Sequence, residues 1–145
     1  MQTYIFRTHL LRDKKVLREI EVPGSFSLFR LAVAIVEAYG FDFDHCFGFY
    51  SDLTDGRYHD SKRQYELFAD LEREGGVWIE PVISKSVKKT KASQVWRVPG
   101  DAMMMLFDYG DGWRFTVELA GFGVRVPRKR YPRLIRSQGK APRQY

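Results

Sequence analysis

The sequence predicts a single α+β domain, a mixed and mainly antiparallel sheet with two or three helices packed on it. Three observations carry this. The chain opens with two runs of branched and aromatic residues at hairpin spacing; one segment has helical periodicity between a capping serine and a stopping glycine; and residues 105–119 read as two strands around an acidic, glycine-rich turn. Strands and helices do not alternate regularly, which argues against a doubly wound parallel sheet.

Residues 3–11 and 16–22 form the expected opening hairpin, with Asp13 and Lys14 turning the chain between them. Pro23-Gly24 breaks that pattern. Ser27 is then placed to cap a helix in which Leu28, Leu31, Ala32, Ile35 and Tyr39 share a face, and Gly40 ends it. Residues 41–44 read as a loop, 45–51 as a strand running to the Asp55-Gly56 turn, and 61–74 as a helix with Tyr65, Phe68 and Leu71 on one side, ended by Gly75-Gly76. Residues 77–83 are apolar, but Pro81 makes them an edge strand or linker. The Lys-rich stretch 84–92 reads as the start of a short helix that carries Val95 and Trp96 inward, and Pro99-Gly100-Asp101 as a turn.

Composition narrows the function classes. A chain of 145 residues is one domain's worth, burying roughly two-thirds of the surface its unfolded form exposes. With 44% hydrophobic and 29% charged residues it belongs with soluble globular proteins. The first residues lack a basic n-region and an apolar h-region, and no apolar run approaches the roughly 18 residues needed to span a bilayer, so a cytoplasmic protein without a membrane partner is expected. Cys46 is the single cysteine, which excludes an intramolecular disulfide and a cysteine-rich zinc site.

The net charge of +6 is unevenly placed. Residues 125–145 hold eight bases, Arg125, Arg128, Lys129, Arg130, Arg133, Arg136, Lys140 and Arg143, and no acid; the rest, with 16 bases against 18 acids, carries −2. A second local group is Lys85, Lys88, Lys89 and Lys91. The expected division is therefore a core domain over 1–124 and a basic C-terminal tail over 125–145, with a polyanionic partner.

Catalytic signatures are sparse. His9, His45 and His59 are scattered, with no paired metal-ligand spacing, and His45 next to Cys46 on a strand does not make a nucleophile and base by adjacency. Gly110-Asp111-Gly112 and Gly121-Phe122-Gly123 lack the third glycine of a dinucleotide fingerprint; there is no phosphate loop and no Gly-x-Ser-x-Gly elbow. No catalytic residue, cofactor or metal is assigned. Asp108 and Asp111 are read as turn residues, with Trp113 anchoring the returning strand. The competing reading groups them with Asp42, Asp44 and His45 as an acid/base or hard-metal site, although nothing in the spacing brings the two loops together.

Phe107-Asp108-Tyr109-Gly110-Asp111-Gly112-Trp113-Arg114-Phe115 resembles the signature of the root-inducing-plasmid ORF-3-like family. Further blocks resemble it in the same order: Gly40-Phe41-Asp42-Phe43-Asp44-His45, Pro99-Gly100-Asp101, Tyr131-Pro132-Arg133, and Gly139-Lys140-Ala141-Pro142-Arg143-Gln144-Tyr145. The resemblance implies an α+β domain of bacteria and archaea, sometimes labelled as an insertion-element accessory or resolvase-like product, with no established activity. This chain departs from it in having Phe41 where many members have Trp, and in lacking their acidic, cysteine-containing ending.

The leading functional expectation is a non-enzymatic, mobile-element-associated accessory protein. It would bind DNA or RNA through Arg128, Lys129, Arg130, Arg133 and Arg136, with Tyr131 stacking on a base. Truncation after Gly123 would then remove a salt-sensitive, sequence-tolerant binding. The alternatives are a protein-interaction module, from the 22 aromatic residues and the edge at 77–83, and an enzyme using the carboxylates near Asp108 and Asp111.

Overall fold

A computed structural model of the chain describes residues 2–74 and 84–145; the strand or linker expected over 77–83 lies outside them. Among the described residues seven strands form one sheet in the order β4-β3-β5-β6-β1-β2-β7, and the pairings between them are antiparallel. They are β1 (Gln2–Leu10), β2 (Asp13–Pro23), β3 (Phe47–Tyr50), β4 (Gln64–Glu66), β5 (Ala102–Phe107), β6 (Trp113–Val124) and β7 (Arg133–Gln138). Three helices accompany them, α1 (Leu28–Ala38), α2 (Leu67–Glu74) and the single turn α3 (Ala92–Val95). The α+β class is the predicted one.

Alternation along the strands decides what is buried. Tyr4, Phe6 and Leu10 of β1, Phe115, Val117 and Leu119 of β6, and Met103, Met105 and Phe107 of β5 point to one face and join a single core with α1. Helix α1 buries Leu28, Leu31, Ala32, Ala34, Ile35 and Val36. As predicted, Ser27 caps it, its hydroxyl accepting from the Arg30 N–H at 3.1 Å, and Gly40 (φ +75°) lets the chain leave. Trp96, completely buried, fills the space between α3 and the sheet and donates its indole N–H to the Val117 carbonyl at 3.1 Å.

Several boundaries differ from expectation: the strand expected over 45–51 is shortened to Phe47–Tyr50, and the short helix expected to start within 84–92 begins only at Ala92. The hairpin turns at Leu11 and Arg12, because Asp13 already pairs with Leu10. The helix expected over 61–74 starts only at Leu67; Gln64–Glu66 pairs instead with β3 as an edge strand. A three-residue strand has no local periodicity to betray it and exists because β3 offers an open ladder.

The C-terminal segment is built into the fold. Residues 133–138 are β7, paired with β2, and the buried Arg18 pins their end. Its guanidinium donates to the carbonyls of Leu17 (2.8 Å), Ala38 (3.1 Å), Gln138 (3.0 Å) and Gly139 (3.0 Å), and lies over the Tyr39 ring. A buried cation with no carboxylate beside it among the described residues is tolerable here because carbonyl dipoles, among them one from the last turn of α1, surround it.

Candidate functional site

The signature turn is shaped by Asp108. Its backbone adopts φ +63°, and its carboxylate Oδ1 accepts from the Gly110 and Asp111 N–H groups at 3.1 and 3.2 Å. Gly112, at φ +71°, donates back to the Asp108 carbonyl at 2.6 Å and closes the turn. Asp tolerates this left-handed conformation better than most residues because it can bond its own turn. Trp113 then packs its ring on Phe41, 4.8 Å between centroids. A cleft of about 290 Å³ lies between this turn and the β1–β2 hairpin, lined by Arg12, Asp13, Asp111 and Trp113 among others.

The two acidic loops meet, which their spacing in the chain did not show. His45 places Nδ1 at 2.6 Å from Asp44 Oδ1 and Nε2 at 3.5 Å from Asp108 Oδ2, so it bridges the loop at 42–45 to the signature turn. The end of the chain closes over them. Tyr145 donates its hydroxyl to Asp44 Oδ2 at 2.5 Å, and Gln144 exchanges hydrogen bonds with the Asp42 backbone at 2.8 and 3.0 Å. The bond from Tyr145 holds the Asp44 carboxyl below the usual range, and the same bond pushes the Tyr145 hydroxyl up to about 12. Both His45 nitrogens thus already face carboxylates, and Asp108 is occupied by its own turn. Among the described residues no group of His, Cys, Asp and Glu has metal-holding geometry. The arrangement is a latch joining three segments; Gln144 and Tyr145, which close it, stand in a family block but carried no site assignment.

Behind the turn, on the face of the sheet opposite the main core, Tyr50, Met104 and Leu106 form a second small cluster covered by Tyr58 and Tyr109. Tyr50 donates to Glu66 Oε2 at 2.5 Å and, its one hydrogen so placed, accepts from the Tyr109 hydroxyl at 2.6 Å. Burial first, then the neighbouring Tyr109 and Glu66, drive the Tyr50 hydroxyl far above its ordinary range, so it remains a donor. Burial also pushes up the Cys46 thiol.

The eight cations of 125–145 fall into three groups. Arg136 stands opposite Glu19, which stands opposite Arg7, which stands opposite Glu118: a charge ladder across β7, β2, β1 and β6 with contacts of 3.5, 2.9 and 3.7 Å. Arg133 pairs with the buried Glu21 at 3.1 Å, whose other oxygen accepts from the Thr3 hydroxyl at 2.5 Å. These two arginines are therefore largely compensated. Lys140 and Arg143 follow β7, towards the latch. Arg125, Arg128, Lys129 and Arg130 remain, all exposed, in the connection from β6 to β7. Tyr131 organises that connection: its hydroxyl accepts from the Val126 N–H at 3.0 Å, the Arg125 and Arg133 guanidinium groups lie 5.5 and 5.9 Å from its ring, and the ring packs against the core. The stacking role expected of Tyr131 meets a ring already committed to its own loop. Leu134 and Ile135, by contrast, stay exposed at 52% and 40%.

Among the described residues no helix is long and apolar enough to cross a membrane. No curated protein matches the sequence. Among solved structures, a protein of unknown function, MM3350 from Methanosarcina mazei Go1, superposes with a TM-score of 0.71 at 19% identity, over 97% of this chain and 71% of that one. At that identity the likeness is one of fold. The family described as plasmid pRiA4b ORF-3-like protein matches residues 2–144, which takes in the signature turn, the 42–45 loop and Gln144 of the latch. On that match over nearly its whole length, the chain belongs to the plasmid pRiA4b ORF-3-like family.

Proposed function

We propose that this protein is a non-enzymatic, mobile-element-associated accessory that binds nucleic acid through one cationic end of its sheet. The observation that carries the reading is the separation of the basic residues. The sheet neutralises Arg133 and Arg136, while Arg128, Lys129 and Arg130 have no acidic partner among the described residues. Arg128 is held at φ +71° in a short connection fixed by Tyr131, so the three cations are presented on a braced loop rather than a free arm. One member of the second lysine group, Lys91, reaches the same end, whereas Lys85 pairs with Tyr65 of β4 at the opposite edge of the sheet. Ala92 and Ser93 donate to the carbonyls of Phe26 and Gly24, just beyond the end of β2, and this sets exposed Lys91 beside the strand ends that the loop joins. Two segments distant in sequence thus supply positive charge to one edge, which suits a polyphosphate backbone.

The test is anisotropy of labelled DNA and RNA at graded KCl. Changing Arg128, Lys129 and Arg130 together to Gln should weaken binding and reduce the slope of log K against log salt by about 2 to 3, since each lost phosphate contact removes roughly 0.7–0.9. Arg136→Gln should leave the slope nearly unchanged. Binding that is absent at low salt, or indifferent to the triple change, removes the proposal.

A further inference from the structure

We infer that the nucleic acid is single-stranded and that Phe122 is the side chain on which a base stacks. This rests on the reading above and specifies the ligand of the same end. Phe122 stands opposite Tyr4 on the helix side of the sheet, yet 39% of it is exposed, because the cover given by α1 and α3 stops short of the strand ends. Tyr4, itself buried, braces it edge-on at 5.0 Å and 83°. Val124, two residues on and therefore on the same face, is 74% exposed, and Val126 is 41% exposed. Together with Gln2 and Gly123, Phe122 and Val124 line an open cleft of about 400 Å³. Ligand sites commonly occupy roughly 300–1,000 Å³. An exposed aromatic and two exposed valines in series are a departure that a solvated strand end does not explain.

What surrounds the cleft identifies its occupant. Arg125 follows Val124 directly, with Arg128, Lys129 and Arg130 beyond it. On the other side Gly24 touches the Tyr4 ring and Ser93, a Cβ built on it lying 2.6 Å from Tyr4 Cε1 and 3.3 Å from Ser93 Cβ; this brings Lys91 and the first turn of α3 alongside. An apolar, aromatic floor with the basic β6–β7 connection on one side and Lys91 on the other fits a chain of phosphates carrying flat apolar rings. A duplex cannot use such a floor, because its bases are stacked on one another and present only their edges in the grooves; a single strand can turn a base onto Phe122 while its phosphates lie against the arginines and lysines. Gln2 offers an amide at the wall of the cleft for a base edge.

The experiment measures three probes against the full chain: a labelled oligothymidine, the duplex it forms with oligoadenine, and heparin, a polyanion without bases. The single strand should bind more tightly than the duplex. Phe122→Ala should weaken single-strand binding roughly tenfold or more, leave the salt slope unchanged and leave heparin and duplex binding unaltered; Phe122→Trp should restore the single strand. Thermal unfolding of both variants shows whether each is folded, and the tryptophan variant keeps the question open if alanine unsettles Tyr4. If Phe122→Ala binds oligothymidine as the parent does while the loop triple variant loses it, the stacking inference is overturned and the electrostatic reading stands. A preference for the duplex overturns it as well. If the parent binds neither strand nor duplex, the functional reading itself fails and this inference with it.

Discussion

Gly48→Ala offers a direct check on the polar cluster behind the signature turn. Gly48 lies in β3, paired with Glu66 of β4 and Leu106 of β5, and carries no positive φ that would exclude a side chain. Space is what excludes one. A Cβ built on it would lie 2.7 Å from the Tyr50 hydroxyl oxygen, 2.8 Å from that of Tyr109 and 2.9 Å from Tyr50 Cε2. The phenols must move, and Tyr50 is fully buried, so its bonds to Glu66 and Tyr109 lengthen together. Two such bonds contribute about 0.5–1.5 kcal/mol each, and leaving a buried polar group unpaired costs about 1–3 kcal/mol. Against this, alanine in a strand recovers about 0.5–1 kcal/mol relative to glycine. The net loss is about 2–3 kcal/mol, a fall in Tm of roughly 6–12 °C for a chain of this length, measurable by calorimetry. In a Tyr50→Phe background one of the two crowded oxygens and both hydrogen bonds are already gone, so the same glycine change should cost at least about 1 kcal/mol less. Equal losses in the two backgrounds, within the roughly 0.5 kcal/mol expected of independent sites, would refute the reasoning, because the penalty would then not come from the Tyr50 oxygen and its hydrogen bonds.

Two further outcomes follow from the pinned C-terminal segment. Arg18→Met removes the donor shared by four carbonyls and should cost about 3 kcal/mol or more, with hydrogen exchange in β7 accelerating beyond the loss in β1; protection falling equally in both strands would show that Arg18 does not pin β7. The latch at Asp44 should depend on pH at both extremes. Asp44 has a depressed folded pKa, so its contribution is present above the ordinary carboxyl value of about 3.9 and lost as pH falls through the lower folded value; Tyr145 has a raised one, so its contribution is present below about 10 and lost as pH rises through about 12. Tyr145 ring resonances that stay fixed through the acidic range and titrate near the ordinary value of about 10 would rule the latch out.

Local chemistry was readable where it governs. The stripe Leu28, Leu31, Ala32, Ile35, with Ser27 before it and Gly40 after it, marks α1 because its cap and stop act within a few residues. The turn at 108–113 is legible for the same reason: Asp108 bonds the N–H groups of residues two and three positions on. In the basic segment the ion pairing is remote in sequence. Arg133 and Arg136 look uncompensated beside their neighbours, and their partners Glu21 and Glu19 lie 112 and 117 residues away. The same distance hid the site's composition, since Gln144 and Tyr145 reach Asp42 and Asp44 across about 100 residues.

By itself, then, the sequence determined the α+β class, the helix α1, the hairpins and the turn that marks the family, all consequences of side-chain periodicity and backbone preference over short range. Tertiary structure alone decided which charges are spent and which are presented, that β7 closes the edge beside β2, that His45 joins two acidic loops, and that Phe122 rather than Tyr131 is left open. The physical reason is that ion pairing and burial depend on through-space neighbours. Antiparallel pairing of distant strands sets those neighbours, and no window along the chain contains them.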